Sequence, residues 1–337
     1  MSDANANTPF YGWKLVAAVF AIYLVNTAFP YYGGSVLNAM MAKDLGFSRS
    51  ALGFGFSAFL LFVGLSSPLV GVLVNRLGVR LTLTLGGLML ALGALAMATV
   101  TRSELHYYLL FGAICGLGFS FGGVIPVQSV VTYWFKRRKP LAMSIVLCAS
   151  GIGSMIAIPA LNAMVAFFDG NWRAGWYVVC ACCLVSAAIA LLLVRNRPED
   201  LGQLPDGDAD AAGALQAASD AAAIKGAIYH TSELWTVRAA LKTPAFWLIV
   251  YGTCAFTMVF NMCIAHGVVH MQDRNIDGAL SATSVGLLVM ASVIGRLGCG
   301  TIGSRVEPRF SWSAGFLLML VGLQTLAMVG SSWQVYV

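Results

Sequence analysis

The sequence predicts an all-α membrane protein that crosses the bilayer many times. Three observations carry this. Hydrophobic residues make up 59% of the 337 and charged residues only 10%, against about 25% charged in a soluble domain. Apolar runs of about 20 residues, long enough to span a hydrocarbon core, recur nine times. Lys and Arg gather in alternate loops between the runs, as membrane insertion selects. So few charges cannot clothe a water-soluble body of this size, and lipid must supply much of the solvent.

The runs fall near residues 13–35, 51–74, 81–101, 106–134, 141–168, 174–194, 245–270, 280–302 and 310–330. The first exceeds the apolar core of a signal peptide, about 7–15 residues, and reads as a spanning helix. Gly116, Gly118, Pro126 and Pro159 punctuate later runs, which membrane helices tolerate. With the N-terminus in the cytoplasm, fourteen Lys and Arg face inward and five outward, and Arg296 lies within a helix. This orientation predicts a multi-pass protein of an inner or plasma membrane with a cytoplasmic N-terminus. The same loops account for the net charge of +6, so nucleic acid is not expected as a partner. All eight cysteines lie in apolar runs without zinc-type spacing. They read as packing residues, and no metal or cofactor is expected.

A polar segment from Arg195 to about Pro244 includes an Ala-, Asp- and Gly-rich stretch expected to be poorly ordered. It divides the chain into 1–194, a six-helix half; 195–244, a cytoplasmic linker; and 245–337, a second half holding helices seven to nine. A repeat supports this division. Gly71, Asn75 and Arg76 follow helix two, and Gly300, Ser304 and Arg305 follow helix eight, with the same spacing six helices apart. Two equal halves would need twelve helices. A tenth begins near Ser331, so the sequence is expected to be a C-terminal truncation, the alternative being a natural nine-helix protein.

The stretch Gly71-Val-Leu-Val-Asn75-Arg76-Leu77-Gly78-Val79-Arg80 resembles the loop-2/3 signature of the major facilitator superfamily, with Asn75 where that signature carries Asp. Gly71 is expected to allow close helix contact and Gly78 a tight turn, while Arg76 and Arg80 cap helix C-termini. Trp134 to Ala142, Asn171-Trp172-Arg173, Arg197 to Gly202 with Pro205-Asp206-Gly207, Thr243 to Trp247, and Gly295-Arg296 with Gly300 and Arg305 resemble the monocarboxylate and oxalate/formate branch of that superfamily. The resemblance implies two six-helix halves that rock about a central site, and a helix-eight Arg that binds a substrate carboxylate. Monocarboxylate/proton symporters often carry an Asp one turn before that Arg. Here Ser292 stands there, which favours exchange or uniport.

The residues themselves point to Arg296. None of the fourteen acids lies in the nine runs. A guanidinium within a membrane helix and without an internal acid calls for an anion from outside, and a carboxylate matches its planar fork. The other reading is a structural Arg bonded to helix carbonyls. Tyr31 and Tyr32, Gln128, and Asn261 are further substrate-binding candidates, their alternatives being an aromatic belt for the tyrosines and helix–helix contacts for the amides. Lys14 reads as a snorkelling anchor. His266 and His270 share a helix face at an outer mouth.

The function expected is transport of a small organic anion, a monocarboxylate or dicarboxylate, by alternating access. The functional unit is expected to be a monomer and the coupling ion stays open. The alternatives are a carrier of the same fold for a drug or neutral metabolite and, remotely, an intramembrane enzyme or a sensor. No nucleophile–base spacing and no HExxH motif is present.

Overall fold

The computed structural model describes residues 9–207, 236–276, 288, 291–301 and 306–330. The chain forms two compact units, Met1–Leu215 and Gln216–Val337, and each is described by itself.

The N-terminal unit holds six long helices. Helix α1 is Gly12–Leu45. Its middle, Ala28–Gly33, widens to π-helix at Pro30, whose missing N–H removes one rung of the ladder. Gly46, at φ 71°, ends it. Helices α2 (residues 49–77) and α3 (residues 79–100) meet at a single non-helical residue, Gly78, at φ 82° and ψ 166°. The sequence reading left several residues for this loop, but a left-handed glycine reverses the chain in one. Helix α4, Glu104–Trp134, carries a π-helical stretch at Tyr108–Cys115 and breaks at Gly122–Gly123. Helix α5 is Lys139–Phe167 with Pro140 in its first turn. Helix α6 is Trp172–Leu193, capped where Asn171 Oδ1 accepts the Arg173 N–H at 3.1 Å.

The buried apolar side chains of this unit form two clusters. One lies where α1 begins, with Leu15, Val19, Val74, Leu83, Val131, Trp134, Phe135 and Val146. The other lies towards the opposite ends, with Leu37, Phe59, Leu90, Tyr107, Phe111, Leu161 and Trp176. Leu65, Leu92 and Leu192 are exposed, as lipid-facing positions should be. Small residues set the helix spacing, because lipid gives helices no hydrophobic drive to associate. A Cβ on Gly86 of α3 would run into the backbone of Gly122 at the break in α4, and one on Gly87 would press on Ala187 of α6.

The break in α4 frees main-chain groups in the middle of the unit. Asn26, 0% exposed, donates its amide to the Gly122 carbonyl at 3.0 Å. Ser186 of α6 donates to Asn26 Oδ1 at 2.8 Å. One amide thus joins α1, α4 and α6. At the end carrying Asp44, Arg173 of α6 donates to the carbonyls of Ala98 and Thr101, where α3 stops, and Trp172 Nε1 donates to Asp44.

In the C-terminal unit α7 is Pro244–Asp273 and α9 is Pro308–Ala327. Residues 291–301 are helical and form α8. Gly252 of α7 sits against Trp312 and Phe316 of α9. His270 pairs with the Leu326 carbonyl at 3.1 Å and Arg274 donates to the Ala327 carbonyl, so α7 caps the end of α9. All eight cysteines are free thiols.

Asn26→Leu should leave the Gly122 carbonyl and the Ser186 hydroxyl buried without partners, at a cost of about 1–3 kcal/mol. Thermal unfolding in detergent is expected to show the loss, and Leu65→Ala, at an exposed site, is expected to leave the midpoint within about 0.5 kcal/mol of the parent.

Candidate functional site

Arg296 lies near the middle of the described part of α8 and is half-buried. Gly295 and Gly298 beside it face open space, with no atom within 4 Å of where a Cβ would stand, and Gly300 is buried. Asn261 of α7 donates its amide to the Thr257 carbonyl of its own helix at 2.8 Å, so that group is turned along α7. The side chain of His266, and both Ser304 and Arg305, lie outside the described residues.

In the N-terminal unit the π-helical stretch of α1 presents Tyr31 and Tyr32, both half-buried. The Tyr31 ring lies 5.4 Å from Phe56 and 5.6 Å from Phe59 on α2, 5.4 Å from Phe119 on α4, and 4.9 Å from Tyr32. These are ordinary aromatic pair distances. Phe59 continues the chain of rings through Phe111 to Tyr107 and Trp176. Both π-helical segments therefore border one aromatic box, and such bulges often mark functional positions. Gln128 is half-buried on α4, beyond the Gly122–Gly123 break.

The loop-2/3 motif has split duties. Gly78 makes the turn, and Asn196 fills the space its missing Cβ leaves. Asn196 Oδ1 accepts the Arg80 N–H at 2.9 Å, and Arg80 Nε donates to the Leu191 carbonyl at 2.6 Å. Arg80 thus caps the C-terminus of α6. Arg76 and Asn75 are exposed, and no cap by Arg76 is seen among the described residues. The close helix contact expected at Gly71 is not made within this unit, where a Cβ would meet nothing within 4 Å. That face of α2 points outward.

The sequence reading assigned residues 195–244 to one linker, yet residues 195–207 are built into the N-terminal unit. Asp206, held at φ 62°, accepts the N–H groups of Lys136 at 2.9 Å, Arg137 at 2.7 Å and Arg138 at 3.3 Å. Its carboxylate closes the entry to α5, which lacks a side-chain cap of its own. Gln203 binds the Tyr11 N–H at 3.0 Å. Tyr11 Oη donates to the Leu193 carbonyl and Trp134 Nε1 to that of Arg195. This strap ties together the ends of α1, α4, α5 and α6. Sequence reasoning missed Asn26, Asn196, Gln203 and Asp206 as organising residues. Asn26 gave a signal as a lone amide within an apolar run, and Asp206 only as part of the Pro205-Asp206-Gly207 stretch.

The profile of the Major Facilitator Superfamily matches residues 15–337. The chain belongs to the major facilitator superfamily. It is an integral multi-pass membrane protein, as its apolar helices require. Among curated relatives of this major facilitator chain, human monocarboxylate transporter 11 is 27% identical over 335 residues, covering 96% of this chain and 64% of that protein. Human monocarboxylate transporter 2 is 23% identical over 317 residues, covering 93% and 65%. Human monocarboxylate transporter 12 is 33% identical over 142 residues, covering 40% and 27%. This chain therefore spans less than two thirds of each relative's length. All three relatives are named as transporters, not as enzymes.

Asp206→Ala should release three main-chain donors at the α4–α5 turn. Hydrogen exchange of the Lys136, Arg137 and Arg138 amides is expected to accelerate, with stability falling by about 1–3 kcal/mol. Gly78→Ala is expected to cost about 1–3 kcal/mol through its positive-φ, extended backbone alone, and more because Asn196 must move. Urea unfolding of the two variants beside the parent checks both.

Proposed function

We propose that this major facilitator chain belongs to a carrier that moves a small organic anion, a monocarboxylate or dicarboxylate, by alternating access, with Arg296 as the partner of the carboxylate. The observation that carries the reading is a half-buried guanidinium in a membrane helix with open glycine positions beside it, in a sequence whose acids all lie outside the nine apolar runs. A buried Arg is stabilised by a planar, bidentate anion, and a carboxylate is the smallest organic group that provides one. The monocarboxylate transporters among the relatives support the same solute class.

Tyr31 and Tyr32 are assigned to substrate contact on the side of the N-terminal unit, since rings offer area and a hydroxyl rim without a countercharge. Gln128 and Asn261 are assigned only accessory polar roles, and Asn261 would first have to release the Thr257 carbonyl. The functional unit proposed is one copy of the full-length chain, oriented with its N-terminus in the cytoplasm.

In proteoliposomes holding the full-length protein, Arg296→Ala is expected to reduce carboxylate uptake by about 10- to 100-fold, the loss of one charge-assisted interaction of about 1.5–3 kcal/mol. Arg296→Lys keeps the charge but not the fork, and should recover only part of it. A competition panel of carboxylates, amines and sugars reads the solute class. Unchanged uptake in both variants, or competition by amines and sugars alone, would remove the anion-carrier reading.

A further inference from the structure

The two ends of the N-terminal unit differ in charge. One carries Lys14, Arg76, Arg80, Lys136, Arg137, Arg138, Lys139, Arg195 and Arg197 against Glu199, Asp200 and Asp206. The hydrogen bonds of Arg80, Tyr11, Trp134 and Asp206 draw these segments together. The opposite end carries Lys43, Arg49, Arg102 and Arg173 against Asp44, Glu104 and Asp169, which is nearly balanced. Insertion bias alone would account for the count of bases at the first end. It does not account for how the α4–α5 turn is built.

In that turn Asp206 takes three successive main-chain N–H groups, so its carboxylate is spent on backbone. The side chains of Lys136, Arg137 and Arg138 are exposed, and Lys139 is half-buried. Among the described residues no carboxylate lies within ion-pair distance of any of the four. Asp200 is engaged with the Arg197 N–H, and Glu199 is exposed on the strap. Immediately before the turn, Trp134 and Phe135 are buried and pack against Phe10, with Trp13 on Phe135. The turn is therefore anchored at the ends of two membrane helices, with the side chains of Lys136, Arg137 and Arg138 exposed.

We infer that the α4–α5 turn is a docking surface for the headgroups of anionic phospholipids, with Lys136, Arg137 and Arg138 as its contacts. The fit is one of charge: the surface holds a row of uncompensated cations where a lipid phosphate would lie. The turn is also rigid, because its amides are already satisfied, so a headgroup need not order it on binding.

The test uses the full-length protein in phosphatidylcholine nanodiscs and a fluorescent phosphatidylglycerol probe at low ionic strength. The parent is expected to bind the probe in preference to labelled phosphatidylcholine. The triple variant Lys136→Gln, Arg137→Gln, Arg138→Gln should bind it about fivefold more weakly per cation removed, with unchanged melting in phosphatidylcholine alone. The single variant Arg137→Gln supplies the same reading should the triple variant fail to fold. Neutralising Lys43 and Arg49 at the opposite end is expected to leave binding intact. Undiminished binding by the α4–α5 variants, or an equal loss from the opposite-end variant, overturns the inference. Displacement of the probe by inorganic phosphate at equal concentration would make the turn an ion site and also overturn it. No substrate enters the measurement, so its outcome is separate from that of the carrier proposal.

Discussion

In the described part of the N-terminal unit, helix ends and breaks leave main-chain donors and acceptors without partners inside their own helices, and side chains from other segments satisfy them. Asn26 meets the carbonyl freed where α4 breaks, and Ser186 holds Asn26 in place. Arg80 and Tyr11 meet the carbonyls at the end of α6, and Arg173 those at the end of α3. Asp206 meets the N–H groups ahead of α5. In a soluble protein water would take many of these, and each side chain could be lost cheaply. In a bilayer an unpaired group costs several kcal/mol.

That constraint also shapes what a binding site in such a unit can be made from. Cations near helix ends reach the headgroup region or cap carbonyls, and acids stay in the loops. A residue such as Arg296, within an apolar helix and flanked by open glycine positions, is therefore conspicuous. The aromatic rings around Tyr31 add area without adding charge. They sit where both π-helical segments loosen the ladder, so the backbone irregularity and the ring cluster share one neighbourhood.

Much of the architecture was legible because lipid imposes a coarse code. A run of about 20 apolar residues has few alternatives to a spanning helix, and each of the predicted runs coincides with helix among the described residues. The motif from Gly71 to Arg80 was legible only in part. Gly78 announced a turn, but its spacing did not reveal that Asn196, far along the chain, would fill the notch and bind Arg80. The same spacing suggested a helix contact at Gly71 that this unit does not make. The strap was misjudged because a polar, Pro- and Gly-rich composition resembles a linker, whereas its order comes from a few hydrogen bonds to distant main-chain groups.

By itself the sequence determined the membrane class, the positions of the spanning helices, the uneven distribution of charge and the placing of Arg296 within an apolar run. All of these follow from the free energy of placing single residues in or out of hydrocarbon, which depends on local composition. Only the tertiary structure decided which carbonyl Asn26 relieves, which helix Arg80 caps, which rings surround Tyr31 and which turn Asp206 closes. Apart from Tyr32, those partners lie tens of residues or more apart along the chain, and hydrogen bonds and ring contacts depend on distance and direction that composition does not carry.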